Sequence, residues 1–212
     1  VNLDAVRANA EAIRAHTGVG LIAVIKADAY GLGAPRIADA LAGIVDEFAY
    51  FSATEARELG RPGLVLGPCD EDAATYRELR LRPAIATLAD AERMGDLPVA
   101  IKVDTGMQRF GCPPEQLAEL AAHCNVQDFF SHAVARSACE RLRAACADFD
   151  KPLHAAATAL LDEPDAWLDA VRPGLALYRG ATRVSTKLRV VRETHGPVGY
   201  TGFEQSPIGV IL

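Results

Sequence analysis

The sequence lacks the features that would place the protein in a membrane or on a nucleic acid. No apolar run approaches the roughly 20 residues that cross a bilayer. The first residues also lack the basic-then-apolar pattern of an export signal. Acidic residues outnumber basic ones by 28 to 22, which leaves a net charge of −6. Because nucleic-acid binding needs a basic surface that neutralises phosphates, we expect a protein that binds neither nucleic acid nor membrane.

The cysteines are few and scattered. The five of them form no C-x-x-C pair and no spacing typical of metal ligands. An odd, scattered set is typical of reduced thiols. We therefore expect a cytoplasmic protein without a bound metal. The chain is long enough for a sizeable core, since half of its 212 residues are hydrophobic.

Short apolar runs alternate with helix-like segments about eight times along residues 1–180. The spacing predicts a first helix at 3–15 and a strand at 21–26, and the last strand candidates are 153–158 and 171–178. This alternation predicts a parallel (β/α)8 TIM-type barrel. A doubly wound α/β sheet is the alternative, but the turn after the first strand lacks its phosphate-binding glycine fingerprint.

The pattern changes after residue 180. Apolar segments at 187–192, 199–203 and 208–212 are separated by Gly and Pro, which predicts β strands. We therefore expect a barrel over 1–180, and over 181–212 a linker and the incomplete beginning of a C-terminal all-β domain. The chain starts almost directly with a helix and stops within an apolar run, so we expect truncation at both ends.

One lysine lies at the position where barrels carry out their chemistry. The apolar run 21–25 ends at Lys26, and a Gly-rich turn follows. In a strand buried on both faces, Lys26 would emerge at the carboxyl end, which is the active-site end of α/β barrels. An amine in an apolar pocket can attack a carbonyl and form a Schiff base. On position alone, a surface lysine at a strand end is the simpler interpretation.

Three segments favour the functional interpretation. They read AVIKADAYGLG at 23–33, IKVDTGMQRFG at 101–111 and VRPGLALY at 171–178. In this order, over nearly the whole chain, they resemble the alanine racemase family of fold-type III pyridoxal phosphate (PLP) enzymes. The resemblance implies PLP as the cofactor and a racemase that interconverts L- and D-alanine by removing and returning the Cα proton through an external aldimine. It also implies a homodimer.

The resemblance assigns roles to individual residues. Lys26 would hold PLP and act as a base on one face of the substrate's Cα, while Tyr30 would contact the cofactor. Arg172 would face the pyridine nitrogen, where a permanently charged guanidinium keeps that nitrogen unprotonated and weakens the ring as an electron sink. Gly174 and Leu175 would donate backbone hydrogen bonds to the cofactor phosphate.

Four further positions match the family. Arg109 would contact the phenolic oxygen of the cofactor and the substrate carboxylate, which suits bidentate guanidinium geometry. Lys102 matches a lysine that is carbamylated in many members, although a barrel lysine paired with an acid explains it equally well. His132 matches a histidine that lies near the cofactor ring and hydrogen-bonds Arg172. Thr158 still offers a hydroxyl to the phosphate.

The sequence also departs from the family pattern. Ala157 cannot form the hydrogen bond of the asparagine that it replaces, and Gln108 replaces a glycine. The family's second base, a tyrosine of the C-terminal domain, has no match, since neither Tyr178 nor Tyr200 occupies its position. A second base makes proton exchange two-sided. We therefore expect this chain to bind the cofactor and to carry out slow, one-sided chemistry.

Two other functions remain open. The chain can be a non-catalytic PLP-binding barrel that carries or buffers the cofactor, although such relatives generally lack the signature at 104–109. A decarboxylase or another lyase on the same barrel is the other alternative. Such enzymes typically place an acid at the pyridine nitrogen, so Arg172 counts against them.

Overall fold

Eight short parallel strands close into a barrel in the computed structural model, which describes residues 1–183, 185, 187–197 and 207–210. The strands are β1 (Gly20–Val24), β2 (Glu47–Tyr50), β3 (Gly63–Val65), β4 (Leu81–Ile85), β5 (Pro98–Lys102), β6 (Asn125–Ala133), β7 (Leu153–Ala156) and β8 (Ala170–Val171). Each strand pairs with the next, and β8 closes on β1 in the register Gly20–Ala170 and Leu21–Val171. The predicted (β/α)8 barrel is confirmed.

Helical segments connect the strands on the outside of the barrel. They are α1 (Leu3–Thr17), α2 (Lys26–Gly31), α3 (Ala34–Leu41), α4 (Ala53–Leu59), α5 (Ala73–Glu78), α6 (Leu88–Met94), α7 (Leu117–Ala122) and α8 (Arg136–Ala145). Side-chain caps start several of them, because the first backbone N–H groups of a helix have no intrahelical partner. The Asn2 side chain accepts from the amide of Ala5, and Thr87 forms a reciprocal capping box with Asp90. Short 3-10 turns at Pro114–Gln116, Thr158–Leu160, Pro164–Ala166 and Leu175–Tyr178 complete the connections.

The last strand is shorter than the sequence predicts. Of the predicted strand 171–178, only Val171 lies in β8, and Leu175–Tyr178 is a 3-10 helix. Pro173 has no N–H to donate to a strand ladder. Gly174 then turns the chain with φ −114° and ψ −80°, so the backbone leaves the sheet. The prediction of a strand over 172–178 is wrong for this reason.

Two apolar layers stabilise the barrel. The larger one packs the outer faces of the strands against the helices. The smaller one fills the barrel interior with Ile22, Val24, Ala49, Leu64, Ala84, Ala100 and Phe130. Alternate residues of a strand point to opposite faces, so positions two residues from these also face the interior. Within the strands, four of those positions are charged: Glu47, Arg82, Lys102 and Asp128.

The chain divides into two units, Val1–Ala181 and Thr182–Leu212. In the second unit, β9 (Val190–Arg192) pairs antiparallel with β10 (Ile208–Val210). The predicted strand at 199–203 lies outside the described residues. Within the part of the chain that the structure describes, no helix has the length and apolar character to span a membrane.

Candidate active site

A cavity of about 660 Å³ opens at the carboxyl ends of the barrel strands. Lys26 lies two residues after the end of β1. Lys102 is the last residue of β5, and Arg172 directly follows β8. The lining includes all nine residues that the family resemblance assigns to the site: Lys26, Tyr30, Lys102, Arg109, His132, Thr158, Arg172, Gly174 and Leu175. The structure therefore brings these residues together at the end of the barrel where active sites lie. Their individual roles remain predictions.

An unusual left-handed turn positions Lys26. The residues 27–30 all have positive φ, between 52° and 59°, although none is glycine. This conformation costs about 1–2 kcal/mol per residue for L-amino acids, so other groups must stabilise it. The Glu55 carboxylate accepts from the amides of Ala27 at 3.0 Å and Phe51 at 2.8 Å. Asp28 accepts from the amide of Ala34 at 2.6 Å.

Tyr30 and Gly174 meet at the wall of the cavity. The Tyr30 ring packs on Tyr178 with 5.5 Å between ring centroids. Burial raises the pKa of Tyr30, so its phenol stays protonated. A Cβ added at Gly174 would lie 2.1 Å from the Tyr30 hydroxyl oxygen. Glycine is therefore required at this position by the close approach of the tyrosine.

The end of the cavity near β7 and β8 offers hydrogen-bond donors to an anion. The Thr158 hydroxyl accepts from the amide of Ala176 at 3.1 Å, which leaves its own proton free to be donated. The 3-10 helix Leu175–Tyr178 starts directly after Gly174. Backbone N–H groups in the first turn of a helix have no partner within that helix. Phosphate oxygens are suitable acceptors for this set of donors.

The cavity is strongly cationic. Among the described residues that line it, Lys26, Lys102, Arg109 and Arg172 are basic and none is acidic. Lys102 is only 8% exposed. Its burial, and next the charge of Arg109 and Arg172, lower its pKa to about 8. Burial and the same cationic surroundings lower the pKa of His132 to about 4, so its imidazole is neutral. The arrangement is suited to a ligand with several negative charges.

Arg172 is held by neutral acceptors. It is 3% exposed. One terminal nitrogen donates to Nδ1 of His154 at 2.5 Å and to the His154 carbonyl at 2.9 Å, while the other donates to the Ser131 carbonyl at 2.5 Å. The resemblance assigns the histidine contact to His132, whereas the structure gives it to His154. The guanidinium carbon also lies 4.9 Å from the centre of the Phe130 ring.

A line of polar and charged side chains, buried at His154 and Asp128 and partly buried at Arg82 and Glu47, continues from His154 toward the amino ends of the strands. Nε2 of His154 lies 3.6 Å from Asp128, which contacts Arg82 at 2.8 Å. Arg82 also contacts Glu47 at 2.6 Å. Glu47, Arg82, Asp128 and His154 all line a second cavity, of about 910 Å³, at the amino ends of the strands. We did not predict this line from the sequence. The alternation of side chains along β2, β4 and β6 could have indicated it, because Glu47, Arg82 and Asp128 lie two residues from interior apolar positions.

The turn after β5 contains backbone strain that a substitution can relieve. Gln108, which replaces the family's glycine, has φ 55°. We expect Gln108→Gly to raise the free energy of unfolding by about 0.5–1 kcal/mol, because relief of the left-handed strain exceeds the entropy cost of glycine. Urea unfolding measures this change. Met107→Gly is the matched control at a neighbouring exposed position without positive φ, and it should lower the stability. Equal losses for both variants would contradict the assignment of strain.

The fold and the cavity define a class: a (β/α)8-barrel protein with a lysine just after its first strand, inside a cationic site whose described lining residues include no acid. Residues 1–182 match the family model described as "Alanine racemase, N-terminal domain". The chain belongs to this family.

Individual relatives agree with the family match. The alanine racemase of Halorhodospira halophila is 33% identical over 263 aligned positions, which cover 100% of this chain and 72% of that protein. The alanine racemase of Acidiphilium cryptum is 35% identical, over 85% of this chain and 59% of that protein. The chain therefore spans between about three fifths and three quarters of these relatives.

Solved structures share the barrel. The alanine racemase of Clostridium difficile 630 in complex with cycloserine superposes with a TM-score of 0.77 and 26% identity, over 84% of this chain and 60% of that chain. The alanine racemase of Bartonella henselae with covalently bound pyridoxal phosphate also has a TM-score of 0.77, at 23% identity, over 84% of this chain and 62% of that chain. The second comparison supports the fold alone.

Proposed function

We propose that this chain is the cofactor-binding barrel of a PLP-dependent amino-acid racemase that interconverts L- and D-alanine. The observation that carries the proposal is Lys26, two residues after β1, inside a cavity where the described lining residues include three further cations and no acid. Family membership supports the same activity. A small amino acid is the proposed substrate, because its carboxylate can be neutralised by this cationic site.

The residues present fit PLP. The cofactor has an aldehyde, a phosphate and an aromatic ring nitrogen. Lys26 provides an amine for the aldehyde, and the hydroxyl of Thr158 with the backbone N–H groups of Gly174 and Leu175 provides donors for the phosphate. The close approach of Tyr30 to Gly174 forms part of the wall. Arg172 is the group that we place against the ring nitrogen, because it stays cationic and donates hydrogen bonds.

The protein's contribution to proton transfer is local. When bound, PLP supplies an electron sink for negative charge at the substrate's Cα. Lys26 is the proposed base on one face of Cα, and Arg109 orients the substrate through its carboxylate. Arg172 limits the electron sink, because a group that donates to the ring nitrogen keeps that nitrogen unprotonated. His132 stays neutral and adds no further positive charge beside the ring.

The buried Lys102 is the proposed carbamylation site. A neutral amine attacks carbon dioxide and releases a proton, and a pKa of about 8 makes the neutral amine available near physiological pH. The carbamate would turn a buried cation into an anion beside Arg109. We expect a carbamate carbonyl signal in ¹³C NMR with labelled bicarbonate, stronger at about pH 9 than at about pH 7. Lys102→Gln should remove the signal and Lys151→Gln should retain it; the opposite pattern would contradict the assignment.

We also propose a homodimer. Four large apolar side chains on the lining of the cavity are 45–65% exposed: Phe51, Phe110, Val134 and Leu175. Exposed apolar residues around a ligand site are typical of a surface that a partner covers. Light scattering with size-exclusion chromatography tests the assembly, and a monomer at all concentrations would refute it.

The domain division and the cellular location are proposals too. We propose that residues 1–180 are the PLP-binding barrel and that 181–212 begin a C-terminal β domain, which the antiparallel pair β9–β10 supports. We propose a cytoplasmic location. The free thiols of Cys69, Cys112, Cys124, Cys139 and Cys146 support it.

Proton exchange at Cα tests the proposed activity. L-alanine or D-alanine is incubated in D2O with the protein and PLP, and proton NMR follows the loss of the Cα–H signal. We expect exchange for at least one enantiomer, because Lys26 alone can act on one face. A protein that binds PLP with no exchange of either enantiomer would instead be the non-catalytic PLP-binding barrel.

A further inference from the structure

In the described part of the chain, the buried Arg172 has no carboxylate in direct contact. Its hydrogen-bond acceptors in that part of the chain are the carbonyls of Ser131 and His154 and one imidazole nitrogen, all of them neutral groups. A charge that is 3% exposed needs a countercharge, because burial of an unbalanced ion is expensive. The nearest carboxylate along this chain of contacts is Asp128, on the other side of His154.

The hydrogen bond from Arg172 fixes the protonation of His154. Because Nδ1 accepts from the guanidinium, the single proton of the neutral ring must be on Nε2. Nε2 faces Oδ1 of Asp128 at 3.6 Å, and both atoms are buried without another hydrogen-bond partner. A buried donor and a buried acceptor that face each other satisfy each other's hydrogen bonding. The two atoms do so either by moving slightly closer to form a direct hydrogen bond or by sharing one bridging water. His154 stacks flat on Phe130, with centroids 5.3 Å apart, which holds the ring in this orientation.

Asp128 is itself held in place. Its other oxygen contacts Arg82 at 2.8 Å, and Arg82 contacts Glu47 at 2.6 Å. The two arginines and two carboxylates of this line add to zero charge when all are ionised. His154 and the charges of Arg82 and Arg172 lower the pKa of Asp128, although burial opposes them, so its carboxylate is ionised.

We propose that Asp128 is a positioning residue for Arg172: it fixes His154 with the proton on Nε2 and supplies the negative charge that balances the buried guanidinium. The inference rests on the proposed function, since Arg172 is the group that we place against the cofactor nitrogen. Carboxylate–histidine pairs orient metal ligands in the same manner. Here the oriented group is a guanidinium.

Histidine NMR of the cofactor-free protein tests the tautomer without any activity. Long-range ¹H–¹⁵N spectra of ¹⁵N-labelled protein distinguish Nε2–H from Nδ1–H, and His154→Gln identifies the signal. We expect Nε2–H for His154 in the wild type, and a mixed or Nδ1–H ring in Asp128→Asn, because an amide can turn a donor toward Nε2. Glu47→Gln is the matched control, a partly buried carboxylate changed to an amide on the same Arg82, and it should retain Nε2–H. An Nδ1–H ring in the wild type would overturn the inference even if Asp128→Asn fails to fold.

Cofactor binding provides the second readout. We expect Asp128→Asn to weaken PLP binding about tenfold or more and to change the absorbance of the bound cofactor, whereas Glu47→Gln stays within about twofold, by analogy with orienting carboxylates at metal sites. Unchanged tautomer and unchanged PLP affinity in a folded Asp128→Asn would overturn the inference. Absence of PLP binding in the wild type would refute the proposed function instead, and the tautomer result would still decide this inference.

Discussion

Lys26→Ala is expected to abolish the visible absorbance of protein-bound PLP and to lower the Cα exchange rate by about a thousandfold or more. One amine is responsible for both effects, because it binds the cofactor and moves the proton. Lys26 is the residue that the β1 strand and the left-handed turn deliver into the cavity. Absorbance spectra after PLP addition and NMR exchange in D2O measure the two effects.

The control for this variant is Lys151→Ala, since Lys151 is exposed and lies outside the cavity. It should bind PLP and exchange protons as the wild type does. If Lys26→Ala retained the visible band and the exchange rate, Lys26 would not be the cofactor lysine. The proposed roles of Arg109 and Arg172 would then be unsupported, because both are defined relative to PLP bound at Lys26.

Gly174→Ala is expected to have the second-largest effect. The added methyl group would lie 2.1 Å from the Tyr30 hydroxyl oxygen, so the tyrosine or the backbone around Gly174 must move. Overpacking of this kind costs about 1–3 kcal/mol. Because the same segment carries the proposed phosphate donors, we also expect PLP affinity to fall about tenfold or more. Urea unfolding and a PLP titration measure the two losses.

Gly20→Ala is the control that separates the effect of overpacking on stability from the effect on PLP binding. A Cβ at Gly20 would meet Ala170 at 3.0 Å, at the amino ends of the strands. It should therefore lower stability modestly and leave the PLP affinity unchanged. If Gly174→Ala bound PLP as well as Gly20→Ala does, the segment after β8 would not contribute to the phosphate site.

The sequence allowed the barrel and the members of the site to be predicted because both depend on short-range patterns. Alternating strands and helices predict the fold, and the motifs around Lys26, Arg109 and Arg172 predict which residues meet in the cavity. The bounds of the last strand could not be predicted correctly, because an apolar run of strand composition continues beyond β8. Pro173 and Gly174 turn the chain there, and Leu175–Tyr178 forms a 3-10 helix.

Long-range contacts explain what the sequence did not show. The left-handed turn at 27–30 contains no glycine with which to recognise it, and it depends on Glu55, which lies far along the chain. Likewise, Asp128 and His154 are recognised as partners only when β6 and β7 lie side by side. In each case a tertiary contact overrides what local propensity predicts.

Covalent trapping at an identified lysine tests the central claim most directly. PLP is added to the protein, the adduct is reduced with borohydride, and peptide mass spectrometry locates the modified side chain. We predict modification at Lys26 alone, with Lys102, Lys151 and Lys187, the other lysines of the chain, unmodified. Trapping at one of those three with Lys26 unmodified, or no trapping at all, would contradict the account.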